Sequence, residues 1–159
     1  MKAKHHFWSS MVVGGVLYLS THSVSVFAGT MVGGFLIDAD HVVDQLWSIY
    51  HGAPHTRKVS ALASGEKGFR GWIARYIHRR KLTRLPLIFH SYELMTVLFV
   101  CTLIWRTPFL TGLLAGYMLH ILLDLYKHYK EFRSPFFYFI FFRMARGFRR
   151  DSLIKSEYL

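Results

Sequence analysis

The residues able to do chemistry in this chain gather where two long apolar stretches begin and end. Asp38, Asp40 and His41 close the first stretch, and Asp44 stands one helical turn past Asp40. His90 and Glu93 precede the second stretch, His120 and Asp124 lie near its end, and His128 follows. Five of the nine acidic residues belong to this set. Ionisable groups within apolar helices are costly, so they mark a functional site or pair with one another. His120, Asp124 and His128 are spaced i, i+4, i+8 and share one helix face, drifting by about 40° per step. His90 and Glu93 become i, i+3 neighbours if residues 90–105 are helical. Imidazole together with carboxylate is a donor set for zinc, and also for manganese or iron. The single cysteine, Cys101, excludes a multi-cysteine zinc site and an intramolecular disulfide framework.

The elements that must position these groups follow from the charge pattern. Hydrophobic residues make up 52% of the 159, which excludes a disordered chain, yet the formal net charge is +11. The basic residues are segregated. None lies between Phe7 and Ile37, and the second stretch, Leu94 to Tyr126, is interrupted only by Arg106-Thr107-Pro108 and by Asp124. The remaining Lys and Arg lie before, between and after the stretches. This segregation favours a membrane protein over a soluble nucleic-acid-binding domain, and no nucleic-acid-binding motif is visible. The positive-inside rule then puts both termini and the middle segment in the cytoplasm, so each stretch enters the membrane and returns. A straight span needs roughly 20 residues, so a stretch running from Phe7 to Ile37 is too long for one upright helix and too short for two. Two short helices turning near Ser20-Thr21-His22-Ser23 solve this, and the second pair turns at Arg106-Thr107-Pro108. A single tilted span for each stretch is the alternative. Met1 to Ala28 also has the outline of a signal peptide, but the apolar run continues past Ala28 to Ile37 and argues against cleavage.

The expected fold is all-α: one membrane-associated domain over 1–159, with about four core helices in two hairpins plus basic amphipathic interfacial helices. In such an up-down-up-down bundle four helix ends share one side. They carry His5 and His6, then Asp38, Asp40 and His41, then His90 and Glu93, and finally His120, Asp124 and His128. Bundles commonly build metal sites from inward side chains on facing helices. More candidates converge than the four ligands of a structural zinc site, which predicts an open catalytic centre or a cluster of two or more ions. Such a centre acidifies water and holds a phosphoryl or carbonyl oxygen. Asp44, outside the ligand set, is the candidate proton acceptor. The plainer reading of each cluster is a solvated helix terminus, or an Asp that orients a buried His. Elsewhere, residues 65–84 read as a basic amphipathic helix with Phe69, Trp72 and Tyr76 as anchors, suited to anionic lipid or to packing on its own domain. Ser134-Pro135 reads as an N-cap and first helical residue, residues 136–142 as an interfacial helix, and 152–159 as a frayed tail.

The run Gly33-Gly34-Phe35-Leu36-Ile37-Asp38-Ala39-Asp40-His41 resembles the Asp-x-Asp-His element of the membrane-bound metal-dependent hydrolase family, which includes LexA-binding, inner-membrane-associated hydrolases. A later His-Ser is matched by His90-Ser91, and a Gly-Tyr-x-x-His-x-x-x-Asp helix by residues 116–124. The order and rough spacing agree over residues 5–126. The resemblance selects His6, with His5 as the fallback, for the family's early histidine. It implies metal ligation by His6, Asp38, Asp40, His41, His90, His120 and Asp124. Where family members often carry His-Arg-Gly-x-Thr-His-Ser, this chain has Leu85-Pro86-Leu87-Ile88-Phe89-His90-Ser91, and Glu93 becomes the candidate for the absent ligand. The family's distant similarity to zinc-dependent phospholipases C implies phosphoester hydrolysis, by fold-level analogy.

The expected function is therefore a metal-dependent hydrolase of the inner membrane, with its site and basic segments facing the cytoplasm. A metal-activated water would attack an ester, foremost a phosphoester of a lipid or amphiphile, with zinc the first candidate ion. The alternative is a non-enzymatic membrane protein that binds a structural metal, anionic lipid or a protein partner.

Overall fold

Local capping chemistry sets the helix boundaries in the computed structural model, whose described residues are 3–41 and 85–158. The expected amphipathic helix over 65–84 and Asp44 lie outside them. Helix α1 (Ala3–Thr21) ends with His22 in the left-handed region (φ 50°), and Ser23 caps α2 (Val24–Phe35), its hydroxyl accepting from Val26 N. The chain then tightens into a 3₁₀ turn over Leu36–Ala39. Ser91 caps α3 (Tyr92–Trp105) by accepting from Leu94 N. Arg106 is left-handed, Thr107 accepts from Leu110 N, and Pro108 opens α4 (Pro108–His128), where its missing N–H costs nothing. Both turns fall where the sequence places them. Among the described residues every regular element is helical, as expected of an all-α chain. Among the described residues one helix, α4, is long and apolar enough to cross a membrane, while α2 with its 3₁₀ extension and α3 are apolar but shorter.

The described residues belong to two compact units, Met1–Ala39 with Ile88–Lys130, and Asp40–Leu87 with Glu131–Leu159. In the first unit α2 and α4 run parallel with backbones in contact. Gly112 abuts the Val26 carbonyl, Gly116 the Thr30 carbonyl, and the Gly34 carbonyl reaches His120 in a constant register of 86 residues. From the other side Gly29 abuts the Phe109 carbonyl and Gly33 the Leu113 carbonyl. A Cβ at any of these four glycines would overlap a backbone oxygen. Both helices thus use a Gly-x-x-x-Gly spacing to approach closely, as helices in membranes commonly do. Helix α1 lies antiparallel on α2, with Ser10 against Gly34 and Gly14 against Thr30. The buried hydroxyls of Ser10 and Thr30 donate to carbonyls of their own helices, His6 O and Val26 O, so neither is left unsatisfied. Helix α3 runs antiparallel to α4, with its Thr102 near Leu110 and the loop before it near Tyr117. It buries no residue, and Val97, Phe99, Val100, Leu103, Ile104 and Trp105 are exposed. Helix α1 likewise presents Trp8, Val12, Val16 and Leu19 outward.

The second unit corrects two expectations. Residues 136–142 do not form one helix. A 3₁₀ turn over Pro135–Tyr138, capped by Ser134, gives way to extended Phe139 and then to α5 (Ile140–Ala145). The break turns Phe137 and Tyr138 inward and their neighbours outward. Phe137 and Tyr138 are buried, with Phe137 stacked on Phe132 at 3.8 Å, while Phe136, Phe139 and Phe141 are exposed. Arg143 is fully buried beside Phe137, and its Nη1 donates to Pro86 O at 2.7 Å and Leu87 O at 2.8 Å. The expected frayed tail is instead folded. Helix α6 (Arg150–Leu153) buries Leu153, Ile154 bridges to Phe132, and Lys155 N donates to Glu131 O at 2.9 Å. Buried apolar contact and backbone pairing outweigh the chain-end entropy there.

The interlocked glycines make a direct prediction. Gly33→Ala and Gly116→Ala should each lower stability by about 1–3 kcal/mol, because the added methyl meets backbone that cannot step aside. Gly15→Ala, whose Cβ would meet nothing within 4 Å, should be neutral or stabilising by up to about 1 kcal/mol. Unfolding followed by circular dichroism checks this, and equal effects at all three positions would show that α2 and α4 are not in contact.

Candidate metal centre

Five side chains from the first unit converge at one end of its helices. α1 contributes His6, the 3₁₀ turn after α2 contributes Asp38, the residue before the α3 cap is His90, and α4 contributes His120 and Asp124. His6, His90, His120 and Asp124 are buried, and Asp38 is partly so. Two overlapping groups, His6–Asp38–His120 and His90–His120–Asp124, each bring three ligand atoms within 4.8 Å of one another.

The donor chemistry is specific. His120 Nδ1 lies 2.9 Å from the Gly34 carbonyl, which can only accept, so Nδ1 carries the proton and Nε2 carries the lone pair. That is the tautomer a metal needs, held by the backbone-carbonyl partner typical of ligating histidines. His120 Nε2 faces His90 Nε2 at 2.9 Å, and each is 3.5 Å from Asp124 Oδ2. Asp38 Oδ1 stands 3.8 Å from His90 Nε2 and 3.9 Å from His120 Nε2. Asp124 Oδ1 meets His6 Nε2 at 3.1 Å, and the His6 ring stacks on His120 at 3.9 Å. Two imidazole nitrogens 2.9 Å apart require a proton or a cation between them. The His6 Nδ1 atom is buried and has no hydrogen-bond partner among the described residues, a costly state for an imidazole nitrogen.

These residues fit a divalent ion. A tetrahedral ion with ligands at about 2.0–2.1 Å spaces its donor atoms roughly 3.3 Å apart, close to the separations found.

The other expected residues are placed as follows. His5, the fallback for the first histidine, is exposed, whereas His6 is fully buried. Glu93 stands half-buried in the first turn of α3, outside both groups of ligand atoms. Its expected i, i+3 relation to His90 fails, because His90 precedes the cap and is not helical. A carboxylate in that turn complements the helix dipole. Asp40 is buried and His41 half-buried, and both belong to the second unit. Asp44 lies outside the described residues. His128 is half-buried at the last turn of α4, and His22 is exposed in the α1–α2 turn.

Sequence reading missed the Gly34 carbonyl, because a backbone acceptor carries no residue-type signal. It also missed Tyr117, whose hydroxyl contacts the backbone around His90. The signal available for Tyr117 was its place one turn before His120.

Zn²⁺ or Co²⁺ should bind the purified, untagged chain and raise its thermal midpoint. His120→Ala should abolish both effects, and His5→Ala should leave them intact, as calorimetry and thermal unfolding with and without the ion would show. Comparison with known proteins found no matching protein family, no similar curated protein and no similar solved structure.

Proposed function

We propose that this chain is a metal-dependent hydrolase of the inner membrane, related in type to the membrane-bound metal-dependent hydrolases it resembles. The observation that carries the reading is the convergence of His6, Asp38, His90, His120 and Asp124 at one end of apolar helices. A divalent ion held there, with zinc first and manganese or iron next, would supply Lewis acidity toward water and toward an ester oxygen. His120 is pre-set by Gly34 to present its lone pair, which removes one ordering cost of ligation. Asp124 bridges the imidazoles by using both oxygens. Asp38, the most exposed of the five, is the carboxylate placed to accept a proton from an entering water. Hydrolysis forms one bond from the water oxygen to phosphorus or the acyl carbon and breaks the bond to the leaving oxygen, which takes up the proton released.

The outward apolar residues of α1 and α3 and the span-length α4 support a bundle of two helical hairpins within the membrane. The distribution of Lys and Arg supports a cytoplasmic face for the ligand end. A site there meets amphiphiles, so the substrate class is a phosphoester of a lipid or similar amphiphile, with anionic lipid as the surrounding partner.

A second reading, a non-enzymatic membrane protein with a structural metal, draws on the full burial of His6 and His120. Turnover separates the two. The untagged chain in vesicles of phosphatidylethanolamine and phosphatidylglycerol is expected to hydrolyse members of a phosphodiester and carboxylester panel. Chelation should stop turnover, added zinc, manganese or iron should restore it, and His90→Ala should reduce it more than about 100-fold. Tightly bound metal with no turnover and no exchangeable water would establish the structural-metal reading.

A further inference from the structure

The side chain that locates His90 is not a candidate ligand. Tyr117 lies on α4 one turn before His120 and is buried. Its hydroxyl oxygen is 2.6 Å from Phe89 O, 2.8 Å from Ser91 O and 3.1 Å from Ser91 N. The single hydroxyl proton is donated to Phe89 O, the nearer carbonyl, while the oxygen accepts the Ser91 N–H. The Phe89 carbonyl belongs to the peptide unit that enters His90, and the Ser91 N–H belongs to the unit that leaves it. One oxygen therefore ties both peptide units that flank His90.

This tie matters because His90 lies outside a helix. It precedes the Ser91 cap, so no helical hydrogen-bond ladder fixes its backbone, in contrast to His6, His120 and Asp124. Tyr117 shares α4 with His120 and Asp124, so its hydroxyl holds His90 in the frame of the two groups that His90 Nε2 faces, at 2.9 Å and 3.5 Å. Its own backbone is in turn pressed against Gly33 of α2. We infer that Tyr117 is a positioning residue for the metal centre, clamping the peptide units on both sides of His90 so that its Nε2 stays aimed at His120 and Asp124. The inference rests on the metal-centre reading given above.

Tyr117→Phe tests it, because it keeps the ring and removes the hydroxyl that makes these contacts. The full chain in detergent micelles is titrated with Co²⁺, whose visible absorption reports ligand number and geometry, and amide exchange is followed over residues 85–95. Tyr117→Phe is expected to keep the helical circular-dichroism signal, to bind Co²⁺ about 10–100-fold more weakly with an altered visible spectrum, and to exchange faster at residues 89–91. In a His90→Ala background the same change should have no further effect on Co²⁺ affinity, since the clamp would then have nothing to aim. Unchanged Co²⁺ affinity and spectrum in Tyr117→Phe would overturn the inference. So would an equal loss of affinity in the His90→Ala background, or collapse of the helical signal, which would make Tyr117 an ordinary core residue. Failure of the unmodified chain to bind Co²⁺ would instead defeat the metal centre itself, and is seen before any variant is compared.

Discussion

Direct backbone contact between α2 and α4 is the constraint on which the rest of the first unit depends. Gly29 and Gly33 on one helix, and Gly112 and Gly116 on the other, place each backbone in the groove of its neighbour. Contact this close leaves no room for a side chain to act as a spacer, so the axial register of the two helices is fixed. That register puts the Gly34 carbonyl opposite His120 Nδ1 and so decides which nitrogen of His120 is free. Chemistry at one end of the unit is thereby set by packing along its length, as a bistable slip of one turn would carry His120 away from its partner.

Gly34 has two tasks in this arrangement. Its missing side chain admits Ser10 of α1, and its carbonyl orients His120. The seating of α1 also brings His6 onto the His120 ring and within reach of Asp124. Position and protonation state of the candidate ligands thus come from the same few close approaches. Several polar groups in apolar surroundings are answered, by a carbonyl for His120, by imidazoles for Asp124 and by their own helices for Ser10 and Thr30, whereas His6 Nδ1 has no such partner among the described residues.

What was legible in the sequence was mostly local. Ser23, Ser91 and Thr107-Pro108 announce helix starts because a cap is decided within a few residues. His90, His120, Asp38 and Asp124 stood out because charge and imidazole are rare in such surroundings. The choice of His6 over His5 came from resemblance, since adjacent helical positions differ only in which face packing turns inward. The i, i+3 relation of Glu93 to His90 presumed His90 to be helical, and a cap one residue later removes that premise. The glycine spacing was visible, but the choice of a partner helix many residues away is a tertiary decision with no local trace. In residues 136–142 a uniform aromatic run has no periodicity, so nothing told which rings, Phe137 and Tyr138, would turn inward.

The centre draws on residues as far apart in the chain as His6 and Asp124, 118 positions from one another. This separation governs the order of events during synthesis. No shorter product that stops before α4 can hold the full donor set, and His6 and Asp38 must wait for α4 to arrive. Assembly of the donor set is non-local by construction. A nascent or prematurely terminated chain therefore lacks the complete donor set, which forms only once α4 has docked beside α2.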